Sequence, residues 1–345
     1  MNTRHISVQE ALDPCVLYEA AALLRAGGLV VFPTETVYGL GGDATQAASA
    51  KKIYEAKGRP SDNPLIIHIA KPHDAERYAH VCPTYERLAK AFMPGPLTVI
   101  LPKRDIIPTE TTGGLDTVAV RCPSHPVAHA LIEACGVAIA APSANRSGKP
   151  SPTCAAHVAD DMDGRVDMII DGGECDIGLE STIVKIDGED SVTLLRPGAI
   201  TYDALCMVVS HVNIAAAVTD KLAENERPLS PGMKYRHYAP DASLILLDGE
   251  REAVLSFLQK EQHAGKCAIL CYDEELSQLK NELLFPVGAA DDLATQSRVL
   301  FKYLREADRL SPDVIYAHLP PAQGLGLALY NRMIRAAAFA VRRIP

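Results

Sequence analysis

The feature that most constrains the fold is an alternation of short apolar runs with longer helical stretches. The runs GLVVF, NPLIIHIA, PLTVILP, TVAVR, GVAIAA, VDMII, STIVKI and VTLLR are rich in β-branched residues and predict buried strands. Stretches between them, such as ATQAASAKKIYEAKG, have helical character, and Asp43 or Thr45 is the expected N-cap of that helix. Strands that alternate with helices predict an α/β domain.

The C-terminal third repeats the alternation in a simpler form. SLILL, KCAILC, LLFPV and DVIYAH predict strands, and EREAVLSFLQKEQHAG, DDLATQSRVLFKYLREADRL and GLGLALYNRMIRAAAFAVRR predict helices. This order predicts a small Rossmann-like parallel α/β domain. GLGLAL lacks the third glycine of a dinucleotide-binding fingerprint and precedes the last helix, so close packing explains its glycines better.

The length of the chain predicts more than one domain. Its 345 residues exceed the ~250–300 that one hydrophobic core reaches, so two domains are expected. We predict an α/β catalytic domain over 1–211, an ordered linker over 212–241 and the Rossmann-like domain over 242–345. The linker has no Gly/Ser-rich tract of the kind that makes a connection flexible.

Composition narrows the class of protein. The sequence has no apolar run of the ~18 residues that a membrane helix needs and no apolar signal segment near its start, which favours a cytoplasmic protein without a membrane partner. Its 9 cysteines form no C-x-x-C pair, which favours reduced thiols over a zinc site. A net charge of −9 argues against tight non-specific binding to nucleic acid but permits a local basic pocket for a small anion.

The densest chemical signal is KGRPSDNPLIIH, residues 57–68. Arg59 and Asn63 each precede a proline and are therefore biased to extended backbone. In an extended segment Lys57 and Arg59 point the same way, and together they predict a two-pronged cationic site for phosphate oxygens. The alternative is a solvated surface pair.

A second polar pair lies in APSANRSGKPSPT, residues 141–153. Ser143 and Asn145 follow the apolar strand GVAIA, and polar residues at strand ends commonly line ligand sites in α/β domains. Ser151 is a favourable N-cap and Pro152 suits the first helical turn, so a helix N-terminus could bind an anion here. Ordinary turn and cap chemistry is the alternative.

Several single residues occupy comparable positions at strand ends. Individually each has a structural explanation: His68 could be a satisfied core histidine, and Arg121 could be the buried ion-pair partner of Glu35. Together they predict a concave site rich in hydroxyl and cationic donors, suited to an amino acid beside a polyphosphate. The sequence has no GxSxG, HExxH or Cys–His–Asn signature, which favours positioning and charge stabilisation over covalent catalysis. The residues of this group are Thr34, Thr36, His68, Arg121, Ser181, Thr182 and Arg196.

The strip SPGMKYRHYAP, residues 230–240, is cationic, aromatic and bounded by prolines. Its stiffness and charge predict a lid over the mouth of the site. Alternation along an extended strip cannot turn every side chain inward, and we predict that Tyr235 seals the opening while His237 reaches the ATP phosphates. The alternative is a solvated linker.

The motifs PTETVYGLG, KGRPSDNPLIIHI, MPGPLTVIL, VAVRCPSHP, APSANRSGKPSPT, STIV and LRPG occur in this order and resemble the YrdC-like family. The second domain and SPGMKYRHYAP resemble its long two-domain form, the threonylcarbamoyl-AMP synthases. The motifs span roughly residues 15–240, and their joint occurrence is specific although each is weak alone. The resemblance implies a YrdC-like twisted mixed-sheet domain before the Rossmann-like one.

The resemblance also implies a reaction. Family members join L-threonine, bicarbonate and ATP, with Mg²⁺, to give threonylcarbamoyl-AMP and pyrophosphate. Downstream threonylcarbamoyl-transferase machinery then modifies the adenosine beside the anticodon of certain tRNAs, so the synthase itself needs weak or no direct tRNA binding. No protein side chain is expected to bind the magnesium that ATP carries.

Site residues carry over position by position. Lys57 and Arg59 are the implied catalytic pair, since their charges would meet the pyrophosphate leaving group. The implied ATP-binding residues are Lys57, Arg59, Asn63, Thr117, Ser143, Asn145, Ser151 and Arg196, with Tyr235 and His237 added by the lid hypothesis. The implied threonine-binding residues are Thr34, Thr36, His68, Arg121, Ala141 and Ser181, with Arg121 as the partner of the carboxylate.

Three alternatives remain at this stage. A carbamoyltransferase that matures hydrogenases uses the same domain, but it carries cysteine pairs and an acylphosphatase segment that this sequence lacks. A non-enzymatic RNA-binding module conflicts with the acidic net charge. The C-terminal domain could bind a regulatory small molecule, which is compatible with a catalytic first domain.

Overall fold

A computed structural model describes residues 2–220, 238–262 and 265–345. The described chain divides into two compact units. The N-terminal unit holds residues 2–147, 151–176 and 180–220, and the C-terminal unit holds 148–150, 177–179 and the described residues from 238 onward. In the part of the chain that the structure describes, no helix has both the length and the apolarity needed to cross a membrane.

The N-terminal unit is built on an eleven-stranded mixed sheet, counted over residues 2–220. Its strands are β1 (Arg4–Ile6), β2 (Val30–Phe32), β3 (Gly39–Asp43), β4 (Ile66–His68), β5 (Leu97–Pro102), β6 (Thr117–Arg121), β7 (Ile139–Ala140), β8 (Met168–Ile170), β9 (Thr182–Gly188), β10 (Ser191–Arg196) and β11 (His211–Ile214). Their order in the sheet is β1-β8-β2-β3-β7-β4-β6-β5-β9-β10-β11. Strand β11 continues the sheet beyond residue 211.

Helices cover the sheet on both faces. They are α1 (Pro14–Arg25), α2 (Ala47–Lys57), α3 (Pro83–Phe92), α4 (Pro126–Cys135), α5 (Ala155–Met162) and α6 (Tyr202–Cys206), with a 3₁₀ turn at Pro72–Arg77 and another at Ala216–Val218. Apolar clusters form on both faces because alternate residues of a strand face opposite sides. Val31 belongs to the cluster on one face, and Val30 and Phe32 belong to the cluster on the other.

The C-terminal unit contains a five-stranded sheet whose neighbouring strands all pair in parallel. Its elements are β12 (Ser243–Asp248), α7 (Arg251–Glu261), β13 (Cys267–Cys271), a 3₁₀ turn (Asp273–Glu275), β14 (Leu284–Pro286), α8 (Leu293–Arg309), β15 (Val314–His318), α9 (Gly326–Ala336) and β16 (Val341–Arg343). The order β14-β13-β15-β12-β16 is that of a small parallel α/β domain. The predicted fold class is therefore confirmed for both domains.

Two local predictions were wrong. The N-cap of α2 is Gln46, because Asp43 belongs to β3 and its carboxylate accepts hydrogen bonds from the amide and the hydroxyl of Thr45 instead. The last helix, predicted through residue 343, ends at Ala336, where Ala338 and Phe339 take positive φ values of 50° and 68°. The chain then adds β16 to the sheet.

Candidate functional site

Lys57 lies at the end of α2 and Arg59 follows two residues later, so the predicted extended segment does not include Lys57. Lys57 is the last helical residue, and Gly58 caps the helix in the left-handed conformation at φ 61°. Both charged side chains are buried. Burial of this kind is costly unless each charge has partners, and it excludes a solvated surface pair.

The structure brings Lys57 together with the predicted polar pair. Its ammonium donates to the carbonyl oxygens of Ser143 and Asn145 at 2.5 and 2.6 Å. The Ser143 hydroxyl in turn donates to Asn145 Oδ1 at 2.6 Å. The loop after β7 thus closes around the end of α2, and Lys57, Ser143 and Asn145 form one cluster.

Arg59 organises the neighbouring loop. Its Nη2 donates to the carbonyl oxygens of Asn63 and Pro64, both at 3.1 Å. The Asn63 side chain is buried, and its Oδ1 finds no hydrogen-bond partner in residues 2–220, 238–262 and 265–345. Thr117 begins β6, which runs parallel to β4, and therefore lies at the end of that strand pair nearest this loop.

Ser151 has a different role from the predicted N-cap. The helix that follows begins at Ala155, and Cys154, not Ser151, occupies the N-cap position. Ser151 is fully buried, and its hydroxyl donates to the Glu180 carboxylate. The sequence-based argument for an anion site at that helix N-terminus therefore fails, although Ser151 remains beside the loop that contains Asn145.

The second group of predicted residues converges around Arg121. Arg121 Nη2 donates to Glu35 Oε1 at 2.8 Å, and both side chains are at most 7% exposed. The backbone amide of Ser124 donates to Glu35 Oε2 at 3.2 Å, which fixes the carboxylate. The hydroxyls of Thr34 and Thr36 lie 2.9 Å apart, and Arg121 Nη2 is 3.5 Å from Thr34 Oγ1. The predicted ion pair with Glu35 is present.

His68 lies beside Arg121 because β4 and β6 pair in parallel with these two residues in register. Its ring is buried, and burial together with the positive charge of Arg121 lowers the pKa of His68 to about 3. His68 Nδ1 and Arg121 Nε are both buried and lack a hydrogen-bond partner within the described chain. Buried polar atoms are rarely left unsatisfied, so these two nitrogens are candidate contacts for a polar ligand.

Two hydroxyl groups, those of Thr98 and Ser181, adjoin the cluster around Arg121. Thr98 pairs with Arg121 across β5 and β6, and its Oγ1 lies 2.7 Å from Ser181 Oγ. Arg196 donates from Nε to the Ser181 carbonyl at 3.0 Å and from Nη2 to the Ser181 hydroxyl at 3.1 Å. The sequence analysis did not single out Thr98. Its position in the apolar run PLTVILP is nevertheless a signal, because it is a polar residue within a buried strand.

Three predicted site residues remain, namely Ala141, Tyr235 and His237. The Ala141 amide donates to the Ile66 carbonyl at 2.9 Å, so a ligand contact to its backbone would use the carbonyl oxygen. Tyr235 and His237, with the lid hypothesis that names them, lie outside the described residues. Tyr238, the next residue along the strip, is buried and stacks on Phe301 with ring centroids 5.2 Å apart.

Fold and site define a YrdC-like α/β enzyme domain followed by a parallel α/β domain. A family profile for Sua5, YciO and YrdC proteins, described as telomere recombination, matches residues 22–198. A second profile, described as the C-terminal domain of threonylcarbamoyl-AMP synthase, matches residues 200–338. The two profiles together account for most of the chain.

Relatives that match over nearly their whole length indicate the same family. The threonylcarbamoyl-AMP synthase of Pyrococcus abyssi is 44% identical over 98% of this chain and 99% of its own, and that of Bacillus subtilis is 46% identical over 96% and 95%. The crystal structure of P. abyssi Sua5 complexed with L-threonine superposes with a TM-score of 0.89 at 42% identity, covering 100% of this chain and 99% of that one.

The chain belongs to the threonylcarbamoyl-AMP synthase family. It is an enzyme of the nucleotidyl-transfer type, and its reaction converts L-threonine, bicarbonate and ATP to threonylcarbamoyl-AMP and pyrophosphate. This is the first step of threonylcarbamoyladenosine modification of tRNA.

Proposed function

We propose that the two clusters hold the two substrates side by side. The observation that carries the proposal is the buried pair of unsatisfied nitrogens, His68 Nδ1 and Arg121 Nε, in register on adjacent strands. The proposed threonine contacts are Thr34, Thr36, His68, Arg121, Ala141 and Ser181. The proposed ATP contacts are Lys57, Arg59, Asn63, Thr117, Ser143, Asn145, Ser151 and Arg196.

Arg121 suits the threonine carboxylate. The Glu35 carboxylate engages Nη2 on one edge of the guanidinium, which leaves Nε directed elsewhere. An arginine held in this way presents its remaining donors without losing side-chain entropy when the ligand arrives. The threonine bound to the relative from P. abyssi supports a threonine substrate for this chain.

His68 serves this site as a neutral group. With a pKa of about 3 the ring carries no charge at physiological pH. A neutral ring can accept or donate one hydrogen bond without repelling the threonine ammonium or the nearby Arg121. The substrate amine must be uncharged to attack carbon, and an uncharged surrounding favours that form.

The chemistry joins nitrogen to carbon and then oxygen to phosphorus. The threonine nitrogen attacks the carbon of bicarbonate, the C–OH bond breaks, and the hydroxide leaves as water with a proton from the amine, giving a carbamate. A carbamate oxygen then attacks the α-phosphorus of ATP. The bond from the α-phosphorus to the bridging oxygen breaks, and pyrophosphate leaves with that oxygen. Carbamates are short-lived in water, so holding both substrates in line inside a buried cluster is the main catalytic task.

Lys57 and Arg59 stabilise the leaving group in this proposal. Lys57 is rigid because two carbonyl oxygens hold its ammonium, and Arg59 is fixed by two more. Preorganised cations of this kind act where negative charge develops, at no reorganisation cost.

Magnesium enters with ATP in this proposal. Among the described residues no group of three His, Cys, Asp or Glu side chains could hold a metal ion. Phosphate oxygens and water are the ligands that Mg²⁺ prefers, so binding through the ATP phosphates fits the donors that are present. The ion would add positive charge at the leaving pyrophosphate.

Other partners stay proposals. Downstream threonylcarbamoyl-transferase machinery would accept the adenylate, and the acidic net charge of −9 favours weak or no direct tRNA binding by this chain. A cytoplasmic location and the absence of a membrane partner remain predictions from composition.

Arg59→Ala tests the site assignment. Purified protein is incubated with ATP, threonine and bicarbonate, and pyrophosphate and the adenylate are measured, the latter by mass. The variant should lose threonine-dependent pyrophosphate release by about 100-fold or more, with the fold intact. Arg77→Ala, which removes an exposed arginine from the same unit, is the matched control and should retain wild-type turnover.

Two results would contradict the assignment. Near-normal turnover of Arg59→Ala would contradict the placement of the ATP site at Lys57 and Arg59. Pyrophosphate release that persists when threonine is omitted would show that the buried nitrogens of His68 and Arg121 do not couple threonine binding to the reaction.

A further inference from the structure

Four buried polar residues form a row across adjacent strands of the N-terminal sheet. Arg121 ends β6, Thr98 lies on β5, Ser181 directly precedes β9, and Arg196 ends β10. These strands are neighbours in the order β6-β5-β9-β10, and each of the four residues is at most 6% exposed. The two hydroxyl residues therefore lie between two arginines, one proposed to bind threonine and the other proposed to bind ATP.

Contacts along the row show that the four side chains share one face of the sheet. Thr98 lies directly opposite Arg121 in the antiparallel pairing of β5 and β6, and opposite residues have Cβ atoms about 5 Å apart. The hydroxyl oxygens of Thr98 and Ser181 are 2.7 Å apart. Arg196 Nη2 donates to the Ser181 hydroxyl at 3.1 Å, so guanidinium groups flank the hydroxyl pair on both sides.

The hydroxyl pair has one more hydrogen than its surroundings accept. Each hydroxyl carries one hydrogen, and only one of the two can occupy the 2.7 Å contact between the oxygens. Within the part of the chain that the structure describes, neither hydroxyl has another acceptor, and the neighbouring guanidinium groups can only donate. Buried polar groups are rarely left unpaired, so the remaining O–H favours a ligand oxygen at this point.

The reaction requires a third substrate between the other two. The threonine nitrogen bonds to the carbon of bicarbonate, and an oxygen on that carbon then bonds to the α-phosphorus of ATP. A subsite for bicarbonate must therefore adjoin both the threonine contacts and the ATP contacts. Bicarbonate is an anion that offers oxygen acceptors, and guanidinium and hydroxyl donors suit it.

We infer that the hydroxyl pair of Thr98 and Ser181, with Arg121 and Arg196 on either side, is the bicarbonate subsite. Ser181 donates its hydrogen to a bicarbonate oxygen, and Thr98 donates its own to Ser181. Thr98 is thus a positioning residue that acts through Ser181. The inference rests on the proposed placement of threonine at Arg121 and of ATP at Arg196.

The pair acts where charge develops in the first step. When the threonine nitrogen attacks, the carbon–oxygen double bond opens and its electron pair moves onto an oxygen of the bicarbonate. The carbon–oxygen double bond forms again as hydroxide leaves, and the hydroxide departs as water with a proton from the amine. A donor fixed beside the charged oxygen stabilises that intermediate without reorganisation.

Thr98→Val tests the subsite in the full chain. Valine keeps the β-branched shape of threonine but has no hydroxyl, so Ser181 loses its donor. Pyrophosphate release is measured in buffers purged of carbon dioxide, with each substrate varied in turn while the other two are saturating. The KM for bicarbonate should rise about tenfold, and the KM values for threonine and ATP should stay within about twofold of wild type.

Two further variants are the controls. Thr98→Ser keeps the hydroxyl and should hold the KM for bicarbonate within about threefold of wild type, which separates the hydrogen bond from the packing of the methyl group. Thr193→Val removes a hydroxyl from β10 that donates to the exposed Asp187 carboxylate, and this variant should behave as wild type.

Three results overturn the inference. They are a KM for bicarbonate within about twofold of wild type in folded Thr98→Val, an equal rise in the KM for threonine, and no recovery in Thr98→Ser. If Thr98→Val does not fold, Ser181→Ala decides, and an unchanged KM for bicarbonate in that variant overturns the inference. Threonine binding to Arg121→Lys reports separately on the proposed function: if that binding is weak while Thr98→Val is normal, the bicarbonate subsite alone fails.

Discussion

The buried ring of His68 makes a quantitative prediction about stability and pH. Burial, aided by the charge of Arg121, lowers the pKa of His68 from 6.5 to about 3 in the folded protein. Below pH 6.5 the unfolded chain therefore takes up a proton that the folded chain cannot accept. The stability that this histidine contributes is complete above pH 6.5 and is lost as the pH falls from 6.5 toward 3.

The size of the effect follows from the two pKa values. Each pH unit between them is worth about 1.4 kcal/mol, so the folded protein should lose about 2 kcal/mol from His68 between pH 7.5 and pH 5.0. His68→Gln removes the titration while keeping a polar side chain. The free energy of unfolding of His68→Gln should therefore fall about 2 kcal/mol less than that of wild type over the same interval.

Urea unfolding at pH 7.5 and pH 5.0, followed by far-ultraviolet circular dichroism, measures the difference. Other titrating groups contribute equally to both proteins and cancel in the comparison. His73→Gln is the matched control, because the His73 side chain is 74% exposed and its replacement should leave the wild-type pH dependence intact. Equal pH dependence of wild type and His68→Gln would refute the claim that this ring stays neutral in the fold.

Further predictions concern substrate binding, packing and the C-terminal unit. Arg121→Lys should weaken threonine binding, measured by calorimetry, about 10- to 100-fold, because an ammonium cannot serve its carboxylate partners as a fork; unchanged affinity would contradict the carboxylate assignment. Gly41→Ala should lower the free energy of unfolding by about 1–3 kcal/mol, since its Cβ would lie 2.8 Å from the Phe32 ring; urea midpoints equal to wild type would show that the strands can move apart. Glu275→Leu should destabilise the C-terminal unit by about 1–3 kcal/mol, because the buried His318 ring loses its hydrogen-bonding partner, the Glu275 carboxylate, at 3.2 Å; calorimetric unfolding should show a lower Tm, and an unchanged Tm would rule out a stabilising contact.

Several site residues could be selected from the sequence because their chemistry shows locally. Lys57, Arg59, Ser143 and Asn145 stand out as polar residues beside prolines or strand ends. The geometry assigned to them was less accurate, since Lys57 ends a helix and Gly58 makes the turn. Local patterns report residue type and element, whereas the direction of a side chain depends on where the element ends.

Other features depend on pairing between distant segments. Thr98 and Ser181 are 83 residues apart in the chain, and their hydroxyls meet only because β5 and β9 are neighbours in the sheet. Likewise, Ser151 suits a helix cap by its residue type, but burial beside Glu180 gives its hydroxyl another partner. Short-range preferences are weak compared with the free energy of burying a polar group correctly, so tertiary context overrides them.

The sequence by itself determined the α/β class and the family resemblance. These follow from periodicity, turn chemistry and residue type, which act over a few neighbouring positions. The domain boundaries and the residues proposed to bind a nucleotide and an amino acid stay predictions. Only the tertiary structure decided that His68 and Arg121 lie in register and that Glu35 orients the guanidinium. Strand order and register are properties of the whole sheet, because every strand must bury its apolar face against partners far away in the chain.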